Sequence, residues 1–192
     1  VITGLWHRII LWEVPILALI SEVYFEVVDT NWDHDGQEEL IQAKGKRLSE
    51  AGCVFADFGT RRRRCFESQE RVVRNFVSYK GCVGTSNVYL AYRYGTKAIG
   101  TMAHEWIMGV SALESLRYAN RFALNGWNKV YKGSLGIALT DTYGTDAFFE
   151  DFDLELASLF AGVRHDSADP FEFTDKVVAH YKKLRIPTEG KT

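Results

Sequence analysis

Cysteine is scarce: three residues, Cys53, Cys65 and Cys82, odd in number and without Cys-x-x-Cys spacing. This argues against a disulfide framework. With no secretory leader in the sequence, it points to free thiols in a reducing compartment, the cytoplasm or the nucleus. Positive charge is not in excess either. Lysine and arginine total 23 against 25 acidic residues, a net charge of −2. The molecule as a whole has no electrostatic reason to bind nucleic acid or an anionic membrane. A long uncharged apolar run is also missing. The most apolar stretch, Ile9 to Val28, is interrupted by Glu13, Pro15, Ser21, Glu22 and Glu26. It falls short of a membrane span and is expected to be a buried helix. No Gly-x-Gly-x-x-Gly loop is found, which weighs against a dinucleotide-binding open sheet.

What is there suits one domain with a real core: 192 residues, 46% hydrophobic and 14% aromatic. The first 50 or so read as helical lead-in. Pro15 suits a first turn, and Ile16, Leu17, Leu19, Ile20, Val23 and Tyr24 form a broad apolar face. A second helix is expected over about Gln37–Ala51, with Leu40, Ile41, Ala43 and Leu48 inward and Gly52 as its C-terminal cap. Short apolar runs then alternate with helices. The runs are Cys53–Ala56, Gly81–Val83, Lys97–Gly100, Leu135–Leu139 and Ala161–Val163, making five strand–helix units. A single long helix is expected over Thr145–Phe160, and a last one over about Pro170–Leu184.

Each run ends in polar residues at its C-terminal side. In parallel α/β folds ligands bind at those ends. The spacing therefore predicts an α/β chain, with 1–52 as lead-in and 53–192 as the first five units of a (β/α) barrel. A complete barrel of eight units takes about 250 residues, so a fragment or shortened form is expected.

The third tip organises the rest: Gly100-Thr101-Met102-Ala103-His104-Glu105-Trp106. A strand end opening into a helix offers free N–H groups to an anion. The helix dipole there favours a neutral imidazole, fit to act as base or nucleophile. A capped helix with an incidental histidine accounts for the same residues. The run Arg61–Arg64 admits a nucleic-acid patch or a solvated or interface charge run. Asp33-His34-Asp35 could ligate a metal, but a turn between helices explains it more simply.

Six segments, in this order, resemble the nicotinate phosphoribosyltransferase family, in wording most similar to its fungal branch. They are Leu11-Trp12-Glu13-Val14-Pro15, Phe58-Gly59-Thr60 with Arg61–Arg64, Gly84-Thr85-Ser86-Asn87, Gly100 to Trp106, Ala138-Leu139-Thr140-Asp141-Thr142, and Gly162-Val163-Arg164-His165-Asp166-Ser167. The wording around His104 disfavours the related quinolinate and nicotinamide phosphoribosyltransferases.

The resemblance implies an irregular type II phosphoribosyltransferase barrel, a homodimer, and synthesis of nicotinate mononucleotide and pyrophosphate from nicotinate and phosphoribosyl pyrophosphate in NAD salvage. Mg²⁺ and ATP are the implied cofactors, with ATP hydrolysis coupled through a phosphohistidine. The tip that binds the 5′-phosphate and an N-terminal aromatic contributor to the nicotinate pocket are expected outside this chain. A non-catalytic fragment or subunit that needs a partner to complete the barrel is the alternative.

By the same resemblance His104 is the phosphorylated histidine, Thr101 contacts nicotinate, and Arg164 grips its carboxylate. A planar fork suits that grip, and an ion pair with Asp166 or Asp141 is the structural alternative. Asp141 would stabilise positive charge developing on the ribose; its alternative is an N-cap. Asp166 and Ser167 are assigned to ribose or Mg²⁺-pyrophosphate, and Arg61 and Arg62 to pyrophosphate. No residue is assigned as a resident metal ligand. The family pattern Asp-Ser-Gly-Asp reads Asp166-Ser167-Ala168-Asp169 here. If that glycine sits at positive φ, alanine costs about 1–2 kcal/mol.

Overall fold

A computed structural model describes residues 1–134 and 136–191. The chain divides into two compact units, Val1–Gly100 and Thr101–Thr192.

The first unit opens with α1 (Trp6–Ile9), a 3₁₀ turn (Ile10–Trp12) and α2 (Glu13–Val27). The expected helix is present, with Pro15 in its first turn, but its burial is not. Only Ala18 is buried, whereas Leu19, Ile20, Val23 and Tyr24 are each half exposed or more. The reason is what α2 packs on. Its neighbour is the arginine-bearing turn Thr60–Arg62, reached by polar links such as Ser21 Oγ to the Arg63 carbonyl (2.8 Å). No apolar layer of the described unit covers the other face.

Helix α3 (Gln37–Glu50) ends as expected, with Gly52 at φ 70°. Its inward residue is Gly45, against the Tyr79 ring, while Leu40 stays exposed. Then follow β1 (Phe55–Asp57), α4 (Phe66–Phe76), β2 (Cys82–Thr85) and α5 (Val88–Arg93). Strands β1 and β2 pair in parallel, Ala56 opposite Gly84 and Asp57 opposite Thr85. Lys97–Gly100 is not a strand. It contributes one parallel bridge, Thr85 to Ala98, because the chain turns away after Ile99 donates its N–H to the Thr85 carbonyl.

The second unit holds α6 (His104–Leu113), α7 (Ala119–Tyr131), β3 (Ile137–Leu139), α8 (Thr145–Asp151), α9 (Leu154–Leu159), β4 (Gly162–Arg164) and α10 (Pro170–Lys183). Leu135, the expected start of β3, lies outside the described residues. The expected long helix breaks in two because Asp153, in extended conformation, caps α9 with its side chain on the Leu156 N–H (3.1 Å). Strands β3 and β4 pair in parallel, Ala138 opposite Val163 and Leu139 opposite Arg164. The core around them includes Ile107, Leu124, Leu139, Phe148, Phe152 and Tyr181, with Phe148 stacked on Phe152 at 4.7 Å. Leu113 and Leu116 are 75% and 66% exposed, since α6 ends at Leu113.

The architecture is thus mixed α/β with parallel strand pairs. Among the described residues the strands form two two-stranded sheets, and no closed barrel is present. No helix of the described residues is long and apolar enough to cross a membrane.

Candidate active site

Parallel pairing of β3 and β4 lays their C-terminal tips side by side. Thr140, Asp141 and Thr142 follow the first; His165, Asp166 and Ser167 follow the second. Thr140, only 1% exposed, ties the tips together by donating from its hydroxyl to the Arg164 carbonyl (3.1 Å). Thr101 precedes α6, and His104 is its first residue, so the imidazole projects from the helix N-terminus.

The side chains converge. His104 Nδ1 lies 3.0 Å from Thr142 Oγ1. Its Nε2 faces Asp166 Oδ2 at 3.2 Å and Asp141 Oδ1 at 3.8 Å. Arg164 Nη1 donates to Thr101 Oγ1 (2.6 Å) and to the Met102 carbonyl (2.9 Å), while Nη2 donates to Asp166 Oδ1 (2.6 Å). Ser167 donates its hydroxyl to Asp141 Oδ2. The Arg164 hydrogen bond holds Asp166 below the usual carboxylate range; partial burial opposes this, and the His104 contact adds to the lowering.

Six of the eight residues expected from sequence therefore form one cluster, built wholly from the second unit: Thr101, His104, Asp141, Arg164, Asp166 and Ser167. Asp141 is not an N-cap. The cap position of α8 is Gly144, which has no side chain to give. The ion pair foreseen as the structural alternative for Arg164 is formed, with Asp166. Thr142 was passed over as a site residue, although it stands in the quoted Thr140-Asp141-Thr142 segment; only the fold shows it meeting His104.

Arg61 and Arg62 belong to the first unit. Arg61 is paired with Glu13 at 2.7 Å, and Arg63 with Glu22 at 3.1 Å. Arg64 covers the Phe25 ring at 4.3 Å. These contacts account for three of the four arginines as structural. Asp33-His34-Asp35 is a turn, with Asp33 Oδ1 accepting the Asp35 N–H (2.8 Å).

One imidazole nitrogen and the oxygens of Asp141 and Asp166 lie within 4.8 Å of one another. Asp141 Oδ1 is buried without a hydrogen-bond partner among the described residues. A buried, unsatisfied carboxylate oxygen beside a second carboxylate suits a hard divalent cation.

Parallel strand tips, a histidine at a helix N-terminus, paired carboxylates and an arginine fork make up the cluster of this α/β protein. A profile of the nicotinate phosphoribosyltransferase (NAPRTase) family matches residues 53–191, and the chain belongs to that family. It is 50% identical over 200 residues to the nicotinate phosphoribosyltransferase of Methanosarcina acetivorans, covering 96% of this chain and 50% of that protein. It is 46% identical over 202 residues to the probable nicotinate phosphoribosyltransferase of Schizosaccharomyces pombe, 99% of this chain and 49% of the relative. The structure of the Porphyromonas gingivalis enzyme superposes with a TM-score of 0.92 at 42% identity, covering 95% of this chain and 48% of that one. The chain spans about half the length of the curated relatives it matches.

Proposed function

We propose that this chain carries the nicotinate- and phosphohistidine-bearing part of a nicotinate phosphoribosyltransferase active site. The observation that supports it is the meeting of Thr101 and His104, before and at the start of α6, with Asp141, Arg164 and Asp166 at the adjacent ends of β3 and β4, in a chain whose relatives bear that name. In the proposed reaction the pyridine nitrogen of nicotinate attacks the anomeric carbon of phosphoribosyl pyrophosphate. The C–O bond to pyrophosphate breaks, giving nicotinate mononucleotide. Arg164 offers guanidinium donors to the nicotinate carboxylate, and Thr101 orients both. Asp141 stabilises positive charge developing on the ribose. His104 accepts a phosphoryl group from ATP and passes it to water, coupling hydrolysis to turnover.

Asp141 and Asp166 would hold Mg²⁺, which supplies charge neutralisation to the pyrophosphate; Ser167 keeps Asp141 turned toward it. Arg62, which has no ion-pair partner among the described residues, is the arginine offered to pyrophosphate. Arg61 would have to leave Glu13 first. The reading carries with it a homodimer, a cytoplasmic location, and a division into a lead-in over 1–52 and the first part of a barrel over 53–192.

A second reading has one observation behind it. Among the described residues the strands form pairs rather than a closed sheet, so a non-catalytic fragment completed by a partner is the alternative. Pyrophosphate release by the purified chain with nicotinate, phosphoribosyl pyrophosphate, Mg²⁺ and ATP, beside His104→Ala, separates the two. Nicotinate-dependent release that the substitution lowers supports the catalytic reading. A folded chain without release above background supports the fragment.

A further inference from the structure

The first unit contains a cavity of about 320 Å³ between α3, the tip of β1 and α4. None of the residues clustered around His104 lines it. Its apolar part includes Val72, Phe76 and the Trp32 indole, and its rim carries Lys44, Arg62 and Arg71. Among the described residues no carboxylate forms an ion pair with any of those three cations.

The other charges lining the cavity are spent. Arg63 is neutralised by Glu22 (3.1 Å) and bonded to Gln69 (3.2 Å). Asp57 is buried, and its carboxylate accepts from the Gly59 N–H (3.0 Å), Gln69 (2.7 Å) and Thr85 (2.7 Å). A partly apolar cavity with an uncompensated positive rim is complementary to a ligand with an apolar body and a negative head. Its volume is that of a small-molecule site.

The geometry points to a binding site for a small amphipathic anion, an aromatic carboxylate or phosphate monoester, held by Lys44 and Arg71 with its ring on Val72 and Phe76; the Trp32 ring is taken by His34 (4.0 Å between centroids), Arg64 (5.3 Å) and Arg71 (6.0 Å) and walls the site. Lys44 and Arg71 take no part in the proposed reaction, whereas Arg62, on the same rim, is the arginine offered there to pyrophosphate. A cationic rim without acidic partners is electrostatically unfavourable when empty, and an anion relieves that repulsion.

Calorimetric titration of the whole chain with 2-naphthoate at low ionic strength tests this, with neutral 2-naphthamide as the isosteric comparison. The expected result is one-to-one binding of the acid, at least tenfold weaker binding of the amide, and a loss of affinity as salt is raised. Lys44 is exposed, so Lys44→Ala preserves the fold and raises Kd at least threefold; Lys44→Ala with Arg71→Ala raises it at least tenfold. Lys46→Ala, whose side chain pairs with Glu50 and does not line the cavity, leaves Kd unchanged. Equal affinity for acid and amide, or a double variant of native circular dichroism with unchanged Kd, overturns the proposal. So does absence of binding. Displacement of naphthoate by pyrophosphate at lower concentration than by naphthyl phosphate also overturns it, assigning the cavity to the phosphate chemistry of the reaction instead.

Discussion

Replacing Ala168 with glycine should stabilise this protein. Ala168 has φ 77°, a left-handed conformation that a Cβ makes costly by about 1–2 kcal/mol. Its neighbours fix it there. Ser167 is held by Asp141 on one side, and on the other Asp169 caps α10, accepting from the N–H groups of Phe171 and Glu172, both at 2.9 Å. The residue cannot relax without giving up a cap or the Ser167 bond. Glycine removes the penalty but widens the unfolded ensemble, which returns about 0.4–1 kcal/mol. The net gain is about 1 kcal/mol, or roughly 2–4 °C in Tm for a chain of this length. Urea and thermal unfolding of Ala168→Gly beside the parent protein measure it. Ala168→Val, whose branched side chain tolerates positive φ worse than alanine, supplies the opposite sign. A glycine variant that is neutral or less stable, with the valine variant unchanged, would refute the strain argument.

Asp153→Asn should flatten the acid limb of stability. Burial raises the Asp153 pKa, but the Leu156 N–H and Arg121 outweigh it and the group lies below its ordinary 3.8. A depressed folded pKa means stability present above 3.8 and lost as pH falls through the folded value, so urea midpoints from pH 5 down to 2 should converge between variant and parent. Gly84→Ala should destabilise the first unit by 2 kcal/mol or more on the order of a strained backbone, because a Cβ at φ 150° would sit 2.2 Å from the Lys97 carbonyl; an unchanged urea midpoint would contradict it. Arg164→Lys should weaken nicotinate binding about 10- to 100-fold, the worth of a charge-assisted bond of about 1.5–3 kcal/mol, and should shrink the preference for acid over amide. Calorimetry with nicotinate and nicotinamide reads both.

The strand tips were legible because their chemistry is local. A polar residue closing an apolar run needs no tertiary knowledge, so the ends of the runs stand out in sequence; that Thr101, Asp141, Arg164 and Asp166 among them form the site is what the family resemblance implies. The positive φ at Ala168 was legible as a departure from a glycine pattern. Burial was not legible, because it depends on what lies opposite. The α2 face reads as core by composition, yet it meets an arginine turn, and nothing in Ile16–Tyr24 encodes that. Lys97–Gly100 reads as a strand by composition too, but a strand is a pairing, and only Ala98 pairs. The break at Asp153 was not legible, because Phe149, Phe152, Leu156 and Phe160 keep a helical period straight across it. The Thr142 contact with His104 needed the fold, since 38 residues separate them.

On the proposed function, the Arg164–Asp166 pair prepares the arginine for its ligand. A guanidinium bonded only to water would be free to swing. Here three bonds, to Thr101, Met102 and Asp166, fix its plane, and the remaining N–H donors of the five keep a defined direction. Asp166 has two oxygens and divides them, Oδ1 to Arg164 and Oδ2 to His104 Nε2. A carboxylate ligand that takes donors from Arg164 therefore competes with Asp166, and any release of Asp166 is felt at the imidazole. The geometry thus joins recognition of an acid to the electrostatics of the proposed phosphoryl acceptor through a single side chain. An arginine and a histidine each reading a separate carboxylate would lack that link.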